Sequence, residues 1–407
     1  MEELLHVNLH PSLSGGPVSK EMLGGLAQEL SFPLEEYLTR IDKIRQEMEQ
    51  RNIDVLLIQH PSNVMYVSGF QTFSMNNGET IILPKDDEPY LVVHAPEVGS
   101  ALLHTWFGNI HAFPPNVSFE SYITDLIKKS GYASAKIGLE MRSPAVNAAS
   151  YKQLEEKLPN ALIIDASSVL DGVRLLKSDL ELEFIQKAAT FTDQGMLAAI
   201  NATSVGATDN EIAASAYHAM AKSGSDYLSN CVIVTAGKRS GILHSTYKRN
   251  QIKNADPILL EMGGCYQRYT SPLMRSVSIG KPSKAVYNVM KACFNALDNV
   301  LSTIKPGLTG DEVARAGWEA LNEAGSGLVS HGNFGYGVGL GYPPSWADGT
   351  GKIELGVDTV LKPGMVFHHP IALRNLGEFG VCVSETSVVT DTGARVFGSV
   401  PREMFLK

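Results

Sequence analysis

The sequence predicts an α/β domain over residues 34–172 followed by an α+β domain over 173–407, with an arm of residues 1–33 in front. Three observations carry this. Short apolar runs alternate with helical periodicities up to about Asp165, the pattern of mixed strands and helices. Beyond Val173 the helices lengthen and come in pairs, each pair followed by strand-like runs. The chain has 407 residues, 44% of them hydrophobic and 19% charged, enough apolar material and length for two cores.

The arm reads as irregular, because Gly15-Gly16-Pro17 and Gly24-Gly25 break any longer period. Tyr37, Leu38, Ile41, Ile44 and Met48 then recur at helical spacing over 34–52. D-V-L-L-I at 54–58 is a short buried strand, with a turn expected at Pro61-Ser62-Asn63. Further strands are expected at 80–83, 90–94, 137–140 and 161–165, with helices at 98–105, 119–129 and 150–157. In the second domain helices are expected at 179–201, from Asp209 onward, at 284–304 and at 310–324. Strands are expected at 231–235, 242–247, 365–372 and 381–390.

The stretch Ile258–Arg275, I-L-L-E-M-G-G-C-Y-Q-R-Y-T-S-P-L-M-R, reads as two strands with a bend at Gly263-Gly264. One carboxylate, Glu261, sits in that apolar ground. A buried carboxylate is costly unless paired, so Glu261 either bridges to a basic residue such as Arg275 or serves chemistry.

A net charge of −9, without Lys/Arg-rich runs or aromatic–basic interleaving, argues against nucleic acid and anionic membranes as partners. Cys231, Cys265, Cys293 and Cys382 are too dispersed for a zinc cluster and read as free thiols in a reducing compartment. The N-terminus lacks a signal-peptide pattern, and no apolar run approaches the ~18 residues of a membrane span. A cytoplasmic protein is expected.

Six motifs in order resemble the creatinase/aminopeptidase-P/prolidase superfamily over residues 34–407. They are N-V-M-Y-V-S-G-F (63–70), V-R-L-L-K-S-D-L-E-L-E-F-I (173–185), His244, the Glu261–Arg275 hairpin, L-K-P-G-M-V-F (361–367) and V-S-E-T-S-V-V-T-D-T-G-A (383–394). The resemblance implies a creatinase-like α/β N-terminal domain, a pita-bread catalytic domain and a homodimer. Peptidases of this superfamily bind two metals through two Asp, one His and two Glu. The motifs put Glu261, Pro272, Tyr336, Pro370 and Ser384 at those five positions, four of them groups that are absent or poor donors. The resemblance therefore implies a metal-free site with no cofactor.

Within that metal-free branch, G-Y-G-V-G-L-G-Y-P-P-S-W (335–346), G-M-V-F-H (364–368), S-E-T (384–386) and V-P-R-E-M-F-L-K (400–407) are similar to the ectoine hydrolases. Thr270 departs from them, since they typically carry a His there, and so does the segment 235–243. The implied reaction is opening of a cyclic amidine, ectoine or hydroxyectoine, to an N-acetyl-diaminobutyrate. The alternatives are creatinase-like hydrolysis of a guanidino acid, an atypical metallo-Xaa-Pro peptidase, and an inactive scaffold.

An amidinium carbon already carries positive charge, so it needs a carboxylate, an attacking group and a proton donor rather than a dication. Glu261 and Glu385 are the candidates for the first two roles and His244 for the proton. A small zwitterionic substrate would be lined by Tyr336, His368, Tyr342, Trp346 and Arg275, with Tyr66 and Phe70 on a loop that family architecture would let reach a partner's site. Each has a plainer reading. His244 can be a half-buried strand residue, the three aromatics from 336 to 346 can be core, and Tyr66 and Phe70 can pack their own domain. His368 and His369 alternate on one strand, so at most one enters the site, and the motif favours His368. His331 reads as a surface loop residue, although in peptidase relatives a nearby His binds substrate. Gly335, Gly337, Gly339 and Gly341 mimic a phosphate loop without its spacing or context.

Overall fold

A computed structural model describes residues 15–72 and 78–407. The first fourteen residues, on which the signal-peptide reading rests, lie outside the described residues. The chain divides after Val173 into two compact units.

The first unit is built on a seven-stranded mixed sheet. In chain order its elements are β1 (Gly16–Val18), α1 (Leu34–Gln50), β2 (Val55–Ile58), α2 (Pro61–Ser68), β3 (Thr80–Pro84), β4 (Tyr90–His94), α3 (Val98–His104), β5 (Asn109–Phe113), α4 (Phe119–Lys129), β6 (Lys136–Leu139), α5 (Ala148–Lys157) and β7 (Leu162–Asp165). The sheet order is β1-β5-β4-β3-β2-β6-β7. The arm is not wholly irregular, because Gly16–Val18 pairs antiparallel with β5 and adds an edge strand. The turn expected at Pro61 is instead the start of α2. Pro61 occupies the first turn, where its missing N–H costs nothing, and His60 Nδ1 accepts from Ser62 N–H.

The division falls within α6 (Ser167–Leu175), and in the second unit come α7 (Asp179–Ala202), α8 (Asp209–Lys222), β8 (Ile233–Ala236), β9 (Pro257–Tyr266) and β10 (Tyr269–Ser278). Then follow α9 (Lys284–Thr303), α10 (Gly310–Asn322), β11 (Asn333–Val338), β12 (Ala347–Glu354), β13 (Val366–Asn375), β14 (Phe379–Val389), β15 (Ala394–Val396) and β16 (Phe405–Leu406). They form two sheets, β16-β10-β9-β8 and β12-β11-β13-β14-β15. Helix starts are capped as their sequences demand. Ser178/Glu181, Thr208/Glu211 and Thr309/Glu312 each close a reciprocal capping box.

Each sheet has one helix-covered face. Met196, Ile212 and Met220 from α7 and α8 pack on Leu260, Met262 and Leu273 of the first sheet. Val289, Cys293 and Val313 from α9 and α10 pack on Phe367, Ile371, Val381 and Val383 of the second. Strand alternation then sends every other residue to the opposite face. There Leu259 and Met274 meet Ala372 and Cys382.

The central hairpin does not bend at Gly263-Gly264. Its turn is Gln267-Arg268, both at positive φ (47° and 65°), as a two-residue hairpin turn requires. Arg268 is held there by donating to Tyr227 O, Ser229 Oγ and Gly341 O. The glycines serve close approach instead. A Cβ on Gly264 would stand 2.9 Å from Ala188 O, so only glycine lets β9 lie directly on α7.

Residues 242–247 form no strand. A 3-10 turn over Gly237–Gly241 leads into loop, and His244 has a positive φ of 54°.

Candidate active site

The faces turned from the helices carry the chemistry. On β9 and β10 that face presents Glu261, Gly263, Thr270, Pro272 and Met274, with Glu261 opposite Met274 and Gly263 opposite Pro272. On β13 and β14 it presents His368, Pro370, Ala372 and Arg374 beside Cys382, Ser384 and Thr386. Several hydrogen bonds between β10 and β14 tie the sheets together here, an exchange between Ser276 and Cys382 included. Met274 N–H donates to Ser384 Oγ at 2.6 Å, and Thr386 Oγ1 donates to Pro272 O at 2.8 Å.

Glu261 is 9% exposed and, among the described residues, has no hydrogen-bond or ion-pair partner. It does not bridge to Arg275. Burial pushes its carboxyl up to about 7, against the opposing pull of the Arg374 guanidinium. A buried carboxylate left unpaired and titrating near neutrality is the kind of group that proton transfer or nucleophilic attack needs.

A hydrogen-bonded row runs alongside it. Trp346 Nε1–H donates to Tyr336 Oη at 2.7 Å, and Tyr336 Oη lies 2.8 Å from His368 Nδ1. His368 Nε2 lies 2.7 Å from Ser384 Oγ. Burial holds His368 well below the usual imidazole range, helped by His369 and His331, so the ring is neutral. Burial also raises the Tyr336 phenol, and the nearby Glu261 charge raises it further. His369 points the other way, between Phe334 O and Ser387 Oγ, each at 2.8 Å.

Two groups join the site that sequence reasoning missed. Arg374 is 3% exposed, with Nε unpartnered and no carboxylate within ion-pair distance among the described residues. It follows β13's alternation onto the same face as His368 and Pro370, but no motif marked it. His331 is not a surface loop residue. Its ring is half-buried and bonded to the Pro370 backbone, with Nδ1 shielded and left without a partner. Burial and then Arg374 push it down to about 4, so it too is a neutral imidazole.

The remaining expected residues divide. His244 is exposed on its loop, within electrostatic reach of His331 rather than on a strand. Glu385 does not face Glu261. It follows Ser384 on β14, so it points to the opposite face, where Arg275 Nη2 bonds its Oε1 at 2.8 Å. Arg275 is consumed there as well, donating to Met274 O, Ser384 O, Val400 O and Pro401 O, and is unavailable to a ligand. Tyr342 is buried, with Arg268 5.0 Å from its ring centroid, and belongs to the wall around the hairpin turn. Tyr66 and Phe70 are 2% and 0% exposed inside the first unit, and the Arg40 guanidinium lies 4.1 Å over the Tyr66 ring. Neither presents a side chain for binding.

The donor set does not fit the dinuclear metal centre that peptidases of the superfamily carry. Pro272 and Pro370 offer no side-chain donor, and Ser384 and Tyr336 are committed to each other's neighbour His368. Glu261 is the one carboxylate on these faces. Among the described residues no group of three or more His, Cys, Asp or Glu could hold a metal ion. No helix among them is long and apolar enough to cross a membrane.

Comparison with known proteins agrees with this architecture. Residues 183–391 match metallopeptidase family M24, and residues 40–176 match the creatinase/prolidase N-terminal domain. The ectoine hydrolase of Halomonas elongata is 26% identical over 93% of this chain and 99% of its own length. The Xaa-Pro dipeptidase of Pyrococcus furiosus is also 26% identical, over 90% of this chain and 99% of its own. A recombinant prolidase from Thermococcus sibiricus superposes with a TM-score of 0.82 at 20% identity, covering 91% of this chain and 99% of that one. That likeness shows the fold alone, and the fold is the pita-bread arrangement expected from the motifs.

Proposed function

The chain belongs to metallopeptidase family M24, and we propose that it is a metal-independent hydrolase of that family which opens a cyclic amidine such as ectoine or hydroxyectoine. The observation that carries this is Glu261, a buried carboxylate without a partner on a face whose other ligand positions hold prolines and a hydrogen-bonded row.

The chemistry follows from the charges. An amidinium ring carrying a carboxylate is a zwitterion. Its cation would lie against Glu261 and its carboxylate against Arg374, which otherwise lacks an acidic partner. Glu261 would attack the amidinium carbon, or take a proton from a water that does. In the water route the tetrahedral intermediate would collapse by breaking the carbon–nitrogen bond while the proton taken up by Glu261 passes to the departing nitrogen; after direct attack the same cleavage would leave a glutamyl adduct, which a water would hydrolyse to free Glu261. An imidazole next to the site, His331 or His244, is suited to carry that proton. Tyr336, oriented by Trp346 and His368, would fix the ring against Glu261. We take a homodimer as the working state on the family resemblance, and the cytoplasm as its compartment on the dispersed cysteines.

A second reading, hydrolysis of a guanidino acid such as creatine, draws on Thr270. Its Oγ1 is buried, unpartnered and on the same face as Glu261, and a Cβ on Gly263 would touch both it and Trp346. A ligand with an additional hydrogen-bonding group would satisfy it. Purified protein incubated with ectoine, hydroxyectoine, creatine and a proline dipeptide, followed by NMR, tests both readings. Ring opening of ectoine or hydroxyectoine is the expected result. Urea release from creatine would favour the second reading, and cleavage of the dipeptide alone would overturn both.

A further inference from the structure

The helix α9 sequence K-A-V-Y-N-V-M-K-A-C-F carries more apolar surface than its core uses. Val286, Val289, Cys293 and Ala296 face the interior. Lys284, Tyr287, Lys291 and Phe294 recur at +3, +7 and +10, a second face on which cations alternate with aromatic rings.

The C-terminal tail lies beside that face. It contains the V-P-R-E-M-F-L-K motif, which the catalytic chemistry does not use. Arg275 holds it by donating to Val400 O and Pro401 O. β16 pairs parallel with β10, and Lys407 N–H donates to Ser278 O at 3.0 Å. Helix and tail enclose an open groove of about 700 Å³ floored by Met290, Phe294 and Met404. That volume lies within the range of small-molecule sites. Two of its apolar side chains, Tyr287 and Leu406, are 60% and 63% exposed, which places a contiguous apolar patch in water.

The rim decides the occupant. Lys281, Lys284 and Lys291 line the groove, and none of them has an ion-pair partner among the described residues. Arg402 adds a fourth cation, bound to Asp298 at 2.8 Å, and Glu403 is the one acid in the lining. In a chain of net charge −9 this is a local reversal of sign. An apolar floor with ammonium groups at its edge complements a molecule having an apolar tail and one anionic head.

We propose that this groove is a binding site for a free amphipathic carboxylate, its tail on Met290, Phe294 and Met404 and its head among the three lysines. The site is independent of the Glu261 face and does not rest on the reaction proposed for it.

Calorimetric titration of the full-length protein with decanoate, below its micelle concentration, tests the site, with decyltrimethylammonium as the matched cation. Saturable binding of decanoate is expected, with little or none of the cation and marked weakening at high salt. The Lys284→Glu/Lys291→Glu pair should weaken decanoate by about tenfold or more. Leu406→Ser, which leaves the charges intact, should weaken it less. Both variants should keep wild-type turnover, since neither touches the Glu261 face. Equal binding of the two amphiphiles, no saturation, or indifference to the lysine pair would overturn the proposal. So would binding only to phosphatidylglycerol vesicles, which would make the patch a membrane contact. A solution dimer that Tyr287→Glu converts to monomer would assign the groove to a second copy and overturn it too.

Discussion

Arg275 Nη2 lies 2.8 Å from Glu385 Oε1, and both side chains are buried on the strand faces turned away from Glu261. The pair therefore joins β10 to β14 behind the site. Removing one partner strands a buried charge, so Glu385→Ala should destabilise the fold by about 3–5 kcal/mol. At temperatures where the variant stays folded, turnover should change little. A 100-fold fall in kcat with an unchanged melting temperature would return Glu385 to the chemistry.

Glu261→Gln should lower kcat/KM by about 100- to 10,000-fold, the range for losing a group that transfers protons. The same variant should be more stable than the wild type at pH 8. The folded-state value, near 7, stands above the ordinary 4.5, so the folded protein binds more protons between those limits. Stability contributed by the neutral carboxyl is complete below about pH 4.5 and is lost as pH rises through 7. A gap of that size corresponds to about 3 kcal/mol. Denaturant titrations at pH 4.5 and 8 should show the wild type weakening and Glu261→Gln weakening less. Parallel curves would mean that Glu261 is solvated or paired.

Activity should survive exhaustive chelation, with no stoichiometric zinc, manganese, cobalt or iron by elemental analysis. The expectation rests on donors rather than on occupancy, since Pro272 and Pro370 cannot coordinate and Ser384 already accepts from the Met274 N–H. Activity abolished by chelation and restored by one of those metals would contradict it.

Tyr336→Phe removes the acceptor of the Trp346 indole N–H and the partner of His368 Nδ1. Two buried polar groups are left unsatisfied, at about 1–3 kcal/mol each. A role in orienting substrate predicts that KM rises along with the fall in kcat, whereas loss of packing alone would leave KM unchanged. Steady-state kinetics on the soluble variant separates the two.

The helices were legible because their starts are written locally, as in Ser178/Glu181 and Thr309/Glu312, and their apolar spacing is long enough to read. Strand β11 was not. N-F-G-Y-G-V lacks a strand's alternation because glycine is needed where Asp348 crowds the backbone, a Cβ on Gly337 falling 2.5 Å from its Oδ1. The prominence of Glu261 was readable from burial cost; alternation said only that His368 and His369 face opposite ways, and the motif resemblance chose His368. Glu385 shows the limit of motif proximity, because one residue along a strand reverses the face. Arg374 carried no local signal, and His331 only the nearby substrate-binding His of peptidase relatives, set aside for a surface-loop reading. They reach Glu261's surroundings through the pairing of β13 with β14 and through the His331 bond to Pro370, contacts that no single window of sequence contains.

The last question is which imidazole carries the proton. His331 is half-buried and neutral, with Nδ1 shielded and unpartnered, whereas His244 is exposed on a loop. The unpartnered Nδ1 beside Arg374 and His368 favours His331 on position, as a relay that takes up a proton and passes it on at once rather than holding it. His331→Gln should therefore lower kcat by about 100-fold or more, and His244→Ala by less. Since Glu261 and the proton carrier would act as a unit, the double variant with Glu261→Gln should be little worse than the worse single. The same comparison with His244→Ala should approach additivity. The opposite pattern, a near-additive His331 and a non-additive His244, would mean that the loop of His244 closes over the substrate and supplies the proton itself. Pre-steady-state rates for the three single and two double variants, on whichever amidine is turned over, decide between them.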